Sequence, residues 1–426
     1  MAKLLQFSVY GIKNINKEIT INLSELSLSS KKKPNNLIAI FGYNGSGKTA
    51  LISAIRLYTN IILKKFYLVQ DDTKIVLSKL INYETKHFKI KIVFKDDFNS
   101  IFKHIIEIKD SKVINEEISI PKGRTLNENF KPILSTINGK LYVFDIEKNK
   151  VPKNEFENID YSYGSFVSII LSKLYDNDID YDSEYKELIN VLLSIVDFAK
   201  SININMFHGE ELRCNSLTKE SVERTYKSLN KVFERQNCQE LSNDQYVIEK
   251  NQLENFEKET KNLEKFINIF KPELKDITLD IKDDGVNYRV KRMFNYGLYS
   301  VDEEYESSGI KQLVSIFVSL LNSAKGQISF IDEMDTNLNS VYLVKLLEFF
   351  KEYGDGQLIF TTHNLEVMDI LKNEKRSIVI LGNNNNIDLR TKQGNASPKS
   401  LYTKGFFPNS PMNIEGFDFL SVFLGE

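Results

Sequence analysis

The chain has 426 residues, 42% of them hydrophobic and 27% charged. That is enough for two or three ordinary domains, or one domain with a large insertion, and enough apolar matter for a proper core. Lys plus Arg total 56 against 58 Asp plus Glu, a formal charge of −2. A protein whose main task is coating nucleic acid carries a basic excess, so any such contact here must come from a local patch.

Cys214 and Cys238 form no CxxC pair, which argues against zinc and a disulfide framework and for a reducing, intracellular setting. The start, MAKLLQFSVYG, lacks the apolar core and small-residue cleavage site of a signal peptide. The longest apolar helix candidate, IKQLVSIFVSLLNSA (310–324), falls short of the roughly 20 residues that a bilayer span needs. A soluble, cytoplasmic protein is predicted.

In chain order, LLQFSVYG and KEITINLS alternate with period two and predict an opening β-hairpin. SSKKKPNN (29–36) reads as a loop, its lysines a solvated surface rather than a nucleic-acid patch. LIAIF (37–41) has the form of a buried central strand, and TALISAIRLYTNIIL, after a glycine-rich loop, that of a one-faced helix. FKIKIVFKD, IFKHIIEIKD and KLYVFDIE alternate between polar turns and predict an antiparallel β lid over 66–182.

YKELINVLLSIVDFA, SVERTYKSLNKVF and QLENFEKETKNLEKFINIF carry a 3.6-residue period and predict a helical insertion over 183–271, with Pro272 at its end. The last is charge-laced, but without sustained a/d heptads it reads as packed on a core rather than as a coiled arm. ITLDIKDDG and NYRVKRMFNYG predict a hairpin; GQISFIDE, QLIFTTHN and RSIVILGN predict strands, with helix VYLVKLLEFFKEY between the first two. Apolar strands alternating with helices imply a parallel sheet covered on both faces, so the fold class is α/β.

GYNGSGKT (42–49) matches G-x-x-x-x-G-K-[ST] and stands between a predicted strand and a predicted helix, the context the pattern requires. The amides of Gly45, Ser46 and Gly47 can ring a β-phosphate, Lys48 adds charge between β and γ, and the Thr49 hydroxyl can bind Mg²⁺. Gly42, Asn44 and Ala50 complete the expected nucleotide-binding set. ISFIDEMDTNLN (328–339) ends an apolar strand in two acids. Asp332 is the expected Mg²⁺ ligand and Glu333 the residue that polarises the attacking water. LIFTTHN (358–364) ends at His363, within reach of a γ-phosphate. His87, His104 and His208 have no such context, and HGEE (208–211) reads as surface.

YESSGIKQLV (305–314) is a second cradle: small residues at the mouth of an apolar helix. It cannot easily serve the ATP that GYNGSGKT already rings. It makes sense closing over a nucleotide held by a second copy, in a twofold dimer with ATP in the interface.

The order of these four motifs resembles the ATP-binding-cassette ATPase head. Asn44 resembles the branch of structural-maintenance-of-chromosomes proteins, RecF and the OLD nucleases. The resemblance implies an ABC-type ATPase head over 1–65 and 272–426, with ATP and Mg²⁺ as cofactors. It implies Lys48, Glu333 and His363 as catalytic residues, and Ser307, Ser308, Gly309 and Lys311 as the signature acting in trans. Ser308 replaces the family's first glycine, and Asn339 stands where the family has an aspartate. The glutamine loop is placed within 78–88.

Only about 60 residues follow His363 and the arm is short, so neither a nuclease domain nor a chromosome-scale coiled coil is expected. The compact head resembles stand-alone ATPases of anti-phage systems such as Septu, PARIS and abortive-infection pairs. That implies a homodimer controlling a separately encoded effector. The alternative is a DNA clamp of the RecF type. A transporter ATPase is disfavoured because 257 residues separate Thr49 from Glu306. The C-terminus, GFFPNSPMNIEGFDFLSVFLGE, reads as a final helix packed on the core or as a docking strip for a partner.

Overall fold

A computed structural model describes residues 1–25, 27, 34–126, 129–146, 154–176, 185–206, 246–374, 376–382, 385–388, 397–407 and 422–423. The chain opens with β1 (Lys3–Tyr10), β2 (Ile19–Asn22), β3 (Leu37–Gly42), α1 (Lys48–Leu63) and α2 (Asp71–Leu80). Five strands follow: β4 (His87–Lys95), β5 (Ile101–Lys109), β6 (Lys112–Pro121), β7 (Phe130–Ile137) and β8 (Lys140–Phe144). Then come α3 (Asn154–Glu157), α4 (Phe166–Asp176), α5 (Lys186–Lys200), β9 (Ile202–Asn205), β10 (Tyr246–Glu249) and α6 (Leu253–Phe270). The rest runs β11 (Asp276–Asp283), β12 (Asn287–Asn295), β13 (Ser300–Asp302), α7 (Ser308–Ala324), β14 (Ile328–Ile331) and α8 (Ser340–Tyr353). It closes with β15 (Gln357–Thr361), α9 (Glu366–Leu371), β16 (Ile378–Gly382), β17 (Asn385–Asp388) and α10 (Pro398–Thr403).

The strands form three sheets. An antiparallel sheet has the order β2-β1-β4-β5-β6-β7-β8. β4 shows why it is one-sided: Phe88, Ile90, Ile92 and Phe94 point inward and the lysines between them point out. A second sheet has the order β17-β16-β3-β15-β14-β9, parallel throughout except for β17. Its strands β3, β14, β15 and β16 are buried along their whole length, as a sheet covered on both faces requires. A small antiparallel sheet joins β10, β12, β11 and β13.

α1 lies in the core shared by the first two sheets, with α4 and α5; Phe94 stacks on Phe198 at 4.0 Å there. The other face of the parallel sheet is covered by α8, α9 and α10. The third core joins α6, the β11–β12 hairpin and α7.

Two expected boundaries move. β1 pairs with β4, so the segment predicted as a separate lid continues the N-terminal hairpin's own sheet, and a boundary at 65/66 would cut it. α5 packs in the main core and β9 pairs in parallel with β14, so the start of the predicted insertion belongs to the same core as β3 and α1. The physical reason is burial: α5 hides Leu188, Ile189, Leu192, Ile195, Val196 and Phe198 against α1 and β4, and no free-standing insertion would do so. α6 buries Phe256, Leu263 and Ile267 on the small sheet and α7, as a helix packed on a core.

The predicted helix SVERTYKSLNKVF, both cysteines, HGEE and most of the Phe-rich C-terminus lie outside the described residues. Among the described residues no helix is long and apolar enough to cross a membrane.

Candidate nucleotide-binding site

Three motifs far apart in sequence meet because β3, β15 and β14 are neighbours and parallel. Each delivers its motif at its carboxyl end, where ligands bind in open α/β sheets. The glycine-rich loop leaves β3 and turns into α1 at Gly47, which has φ +102° and no side-chain cap. The first amides of α1 are therefore not taken by a capping oxygen. A Cβ on Gly47 would lie 3.1 Å from Ile15, so the position needs glycine for its backbone and for its neighbour. The β1–β2 turn holds the loop from the other side, where the Asn14 amide donates to the Gly45 carbonyl.

Two observations fit a phosphate. Around Gly45 a Cβ would meet nothing within 4 Å, and the buried Ser46 Oγ has no hydrogen-bond partner. Lys48 is buried, and its ammonium donates to the carbonyls of Gly42 (2.9 Å) and Tyr43 (3.2 Å). Burial lowers its pKa, while the charges of Asp332, Glu333 and Asp335 act in the opposite sense. Thr49 follows on the same turn, half-buried, and Ala50 is buried.

Asp332, 6% exposed, ends β14. Its carboxylate accepts from the Thr361 hydroxyl at 2.6 Å, and its amide donates to the Asn205 carbonyl at 2.9 Å. Glu333 has φ +49°, a left-handed backbone uncommon outside glycine. Its amide donates to Thr361 Oγ1 at 2.7 Å, and its carboxylate accepts from the Thr336 hydroxyl at 3.2 Å. Met334 N–H donates to the Thr361 carbonyl, and His363 N–H to the Asp335 carboxylate at 3.1 Å. The acidic loop is thus stapled to the end of β15. The His363 ring is shifted to lower pKa by partial burial and then by the Lys48 charge, with Asp335, Glu333 and Asp332 opposing.

The structure therefore brings together Lys48, Asp332, Glu333 and His363. It adds Asp335, Thr361, Asn14 and the exposed Lys13, whose charge also feels Asp332. Asp335 and Thr361 were in view inside FIDEMDTN and TTHN but carried no assigned role. Lys13 and Asn14 sit in a polar turn that nothing local distinguishes.

The residues predicted as the signature approach the acidic loop at Asn337. Ser307 caps α7, its Oγ accepting from Ile310 N–H at 3.4 Å. A Cβ on Gly309 would lie 3.1 Å from the Asn337 carbonyl, and Lys311 donates to the Glu304 carbonyl. Ser308 is exposed. Among the described residues no hydrogen bond joins Ser307, Ser308 or Lys311 to the glycine-rich loop. Asn339 caps α8, accepting from Val341 N–H at 2.9 Å. The stretch 78–88 contains no glutamine; its buried amide is Asn82, which donates to the Lys13 carbonyl.

Residues 37–369 match the family described as "AAA domain, putative AbiEii toxin, Type IV TA system". The chain belongs to this family. The AAA-domain assignment agrees with the ATPase head expected from the motifs, and the matched range runs from the start of β3 into α9. No curated protein matches the AAA-domain chain.

Solved structures similar to it include an SMC head bound to the C-winged helix domain of ScpA, 16% identical with TM-score 0.41, covering 91% of this chain and 97% of that one. Another is the SMC head domain from Thermotoga maritima, 12% identical with TM-score 0.35, covering 91% and 100%. A third is the recombination mediator RecF with ATPrS, 13% identical with TM-score 0.40, covering 91% and 98%. All three likenesses are distant.

Proposed function

We propose that this protein binds Mg-ATP on the glycine-rich loop and hydrolyses it, and that it dimerises around ATP. The dimer is a switch that controls a separately encoded effector in anti-phage defence. One observation carries the hydrolytic reading: the Lys48 ammonium shares one electrostatic site with Asp332, Glu333, Asp335 and His363, delivered by three adjacent parallel strands. The family's description, an AbiEii toxin of a type IV toxin–antitoxin system, supports a protein that works with a separate partner.

In this reading Lys48 leaves the Gly42 and Tyr43 carbonyls for the β- and γ-phosphate oxygens. Ser46 Oγ and the first amides of α1 gain partners at the same time. Thr49 and Asp332 would hold Mg²⁺, an oxygen-donor pair suited to a hard cation, which supplies charge neutralisation on the phosphates. Glu333 accepts a proton from water as its oxygen bonds to the γ-phosphorus and the bond to the β-phosphate oxygen breaks, leaving ADP and phosphate. General-base help of this kind contributes roughly 10²–10⁴ in rate. His363 senses the γ-phosphate in this reading, supported by the Lys48 charge it feels. Ser307, Ser308, Gly309 and Lys311 of a second copy close over the nucleotide.

The test is nucleotide binding, turnover and solution mass together. Lys48→Ala loses ATP binding. Glu333→Gln binds ATP, turns over at least about a hundredfold more slowly, and dimerises in Mg-ATP. Adding Ser307→Arg returns it to monomer by light scattering. Equal turnover in wild type and Glu333→Gln overturns the assignment of the base. A mass indifferent to ATP and to the arginine overturns the switch.

A further inference from the structure

Thr361 is completely buried at the end of the strand between the two phosphate-facing motifs, and its hydroxyl touches both acids. It donates to Asp332 Oδ1 at 2.6 Å and accepts from Glu333 N–H at 2.7 Å. A hydroxyl has one proton to give and lone pairs to receive, so these bonds have fixed directions. The donated proton occupies Asp332 Oδ1, and the accepted one holds the Glu333 amide. Glu333 is the residue held at φ +49°. The neighbouring Thr362 does something different: its hydroxyl accepts from Asn364 N–H at 3.0 Å, within the following loop. The two threonines of the motif are therefore not interchangeable.

We propose that Thr361 is the positioning residue of the acidic pair. With one hydroxyl it commits Asp332 Oδ1 to the protein, so that Oδ2 would be the oxygen offered to a cation, and it holds the left-handed backbone from which Glu333 would reach the water. Thr361 touches neither substrate nor metal in this scheme, and acts through the Asp332 carboxylate and the Glu333 backbone. A misplacement of about 1 Å in such a pair costs on the order of a hundredfold in rate. The inference rests on the ATPase reading for its catalytic half, while the cation half stands on binding alone.

The experiment compares Thr361→Val, which keeps the shape and loses the hydroxyl, with Thr361→Ser, which keeps the hydroxyl. Steady-state ATP hydrolysis gives kcat and KM. A fluorescent ATP analogue, titrated in EDTA and across Mg²⁺ concentrations, gives a readout free of turnover. In Thr361→Val, kcat falls at least about tenfold with KM within roughly twofold. Binding in EDTA is unchanged, and about tenfold more Mg²⁺ is needed for its full effect. Thr361→Ser recovers both properties.

Wild-type kcat and Mg²⁺ dependence in Thr361→Val overturn the proposal, and so does a Thr361→Ser variant as defective as Thr361→Val. If Thr361→Val does not fold, Thr361→Ala makes the same comparison with less bulk. A wild-type protein whose turnover is insensitive to Glu333→Gln overturns the hydrolytic reading instead. The Mg²⁺ titration then still decides whether Thr361 orients Asp332.

Discussion

His363 has a lower proton affinity than a free histidine, because its ring is partly buried and faces the Lys48 charge. In the nucleotide-free protein it is therefore neutral at pH 7, and an NMR titration should find its midpoint below the ordinary 6.5. Lys48→Ala removes the repulsion but not the burial, so the midpoint should rise part of the way. A midpoint unmoved by that substitution would show that the two side chains do not share a site. The sign for stability follows: between the ordinary and the folded midpoint only the unfolded chain takes up the proton, so this residue's contribution weakens as pH falls through that window. The residue scale also shows what local reading leaves out. Glu333 was assigned from its place in DE, yet what orients it is Thr361, 28 positions later.

At the scale of elements, the approach to α7 is built on a buried cation. Arg292 on β12 lies between the Tyr246 and Phe256 rings, 4.6 Å from each centroid. It is 3.6 Å from both Glu259 on α6 and Glu303, four residues before Ser307. Burial opposes the guanidinium charge, but Tyr246, Glu303 and Glu259 more than offset it. Glu259 is pushed up to about 7 by burial, with Arg292 and Lys325 opposing. Glu303 also accepts from the Tyr246 hydroxyl at 2.7 Å.

The two acids should behave differently on substitution. Glu303→Gln leaves a buried cation short of its partner and should cost about 3–5 kcal/mol in chemical denaturation. For Glu259 the folded value lies above the ordinary 4.5, so the folded state holds a proton that the unfolded state has lost. Stability then falls as pH rises from 4.5 to about 7, and the penalty stays above that. Glu259→Gln should flatten this slope and gain on the order of 1–3 kcal/mol at pH 8. An unchanged slope would mean that Glu259 stays ionised beside Arg292.

At the scale of the whole molecule, a single amide stitches the two large sheets together. Gln357, buried at the start of β15, accepts from Leu4 N–H at 2.7 Å and donates to the Leu4 carbonyl at 2.9 Å. Leu4 sits on β1 beside an irregularity in its register with β4, where the ladder with β4 is interrupted. Gln357→Leu would fill the volume but strand two buried backbone groups, so a loss of about 1–3 kcal/mol is expected in chemical denaturation. Stability equal to wild type would mean that water or a shifted β1 takes over. Phe7 on β1 packs edge-on against Phe330 on β14 at 6.0 Å, so the same seam carries apolar contact.

Much of this protein could be read without its fold. GYNGSGKT, FIDE and TTHN stand out in the sequence because binding a phosphate, a cation or a water would demand particular groups at short, fixed spacings. The hairpin, the buried strands and most of the helices follow from periods of two and 3.6, which are local. The partnerships between distant stretches were not legible. That β1 pairs with β4, that ININ (202–205) is a parallel strand beside β14, and that Thr361 rather than a nearer residue holds the acids all depend on burial shared across hundreds of residues. A four-residue strand is too short to show a period, and a hydroxyl's partner is set by where two strands end. Sequence alone determined which chemically distinctive groups are present and how they are spaced within each motif. The tertiary structure decided which of those positions meet, because only the packed sheets bring their carboxyl ends to one place.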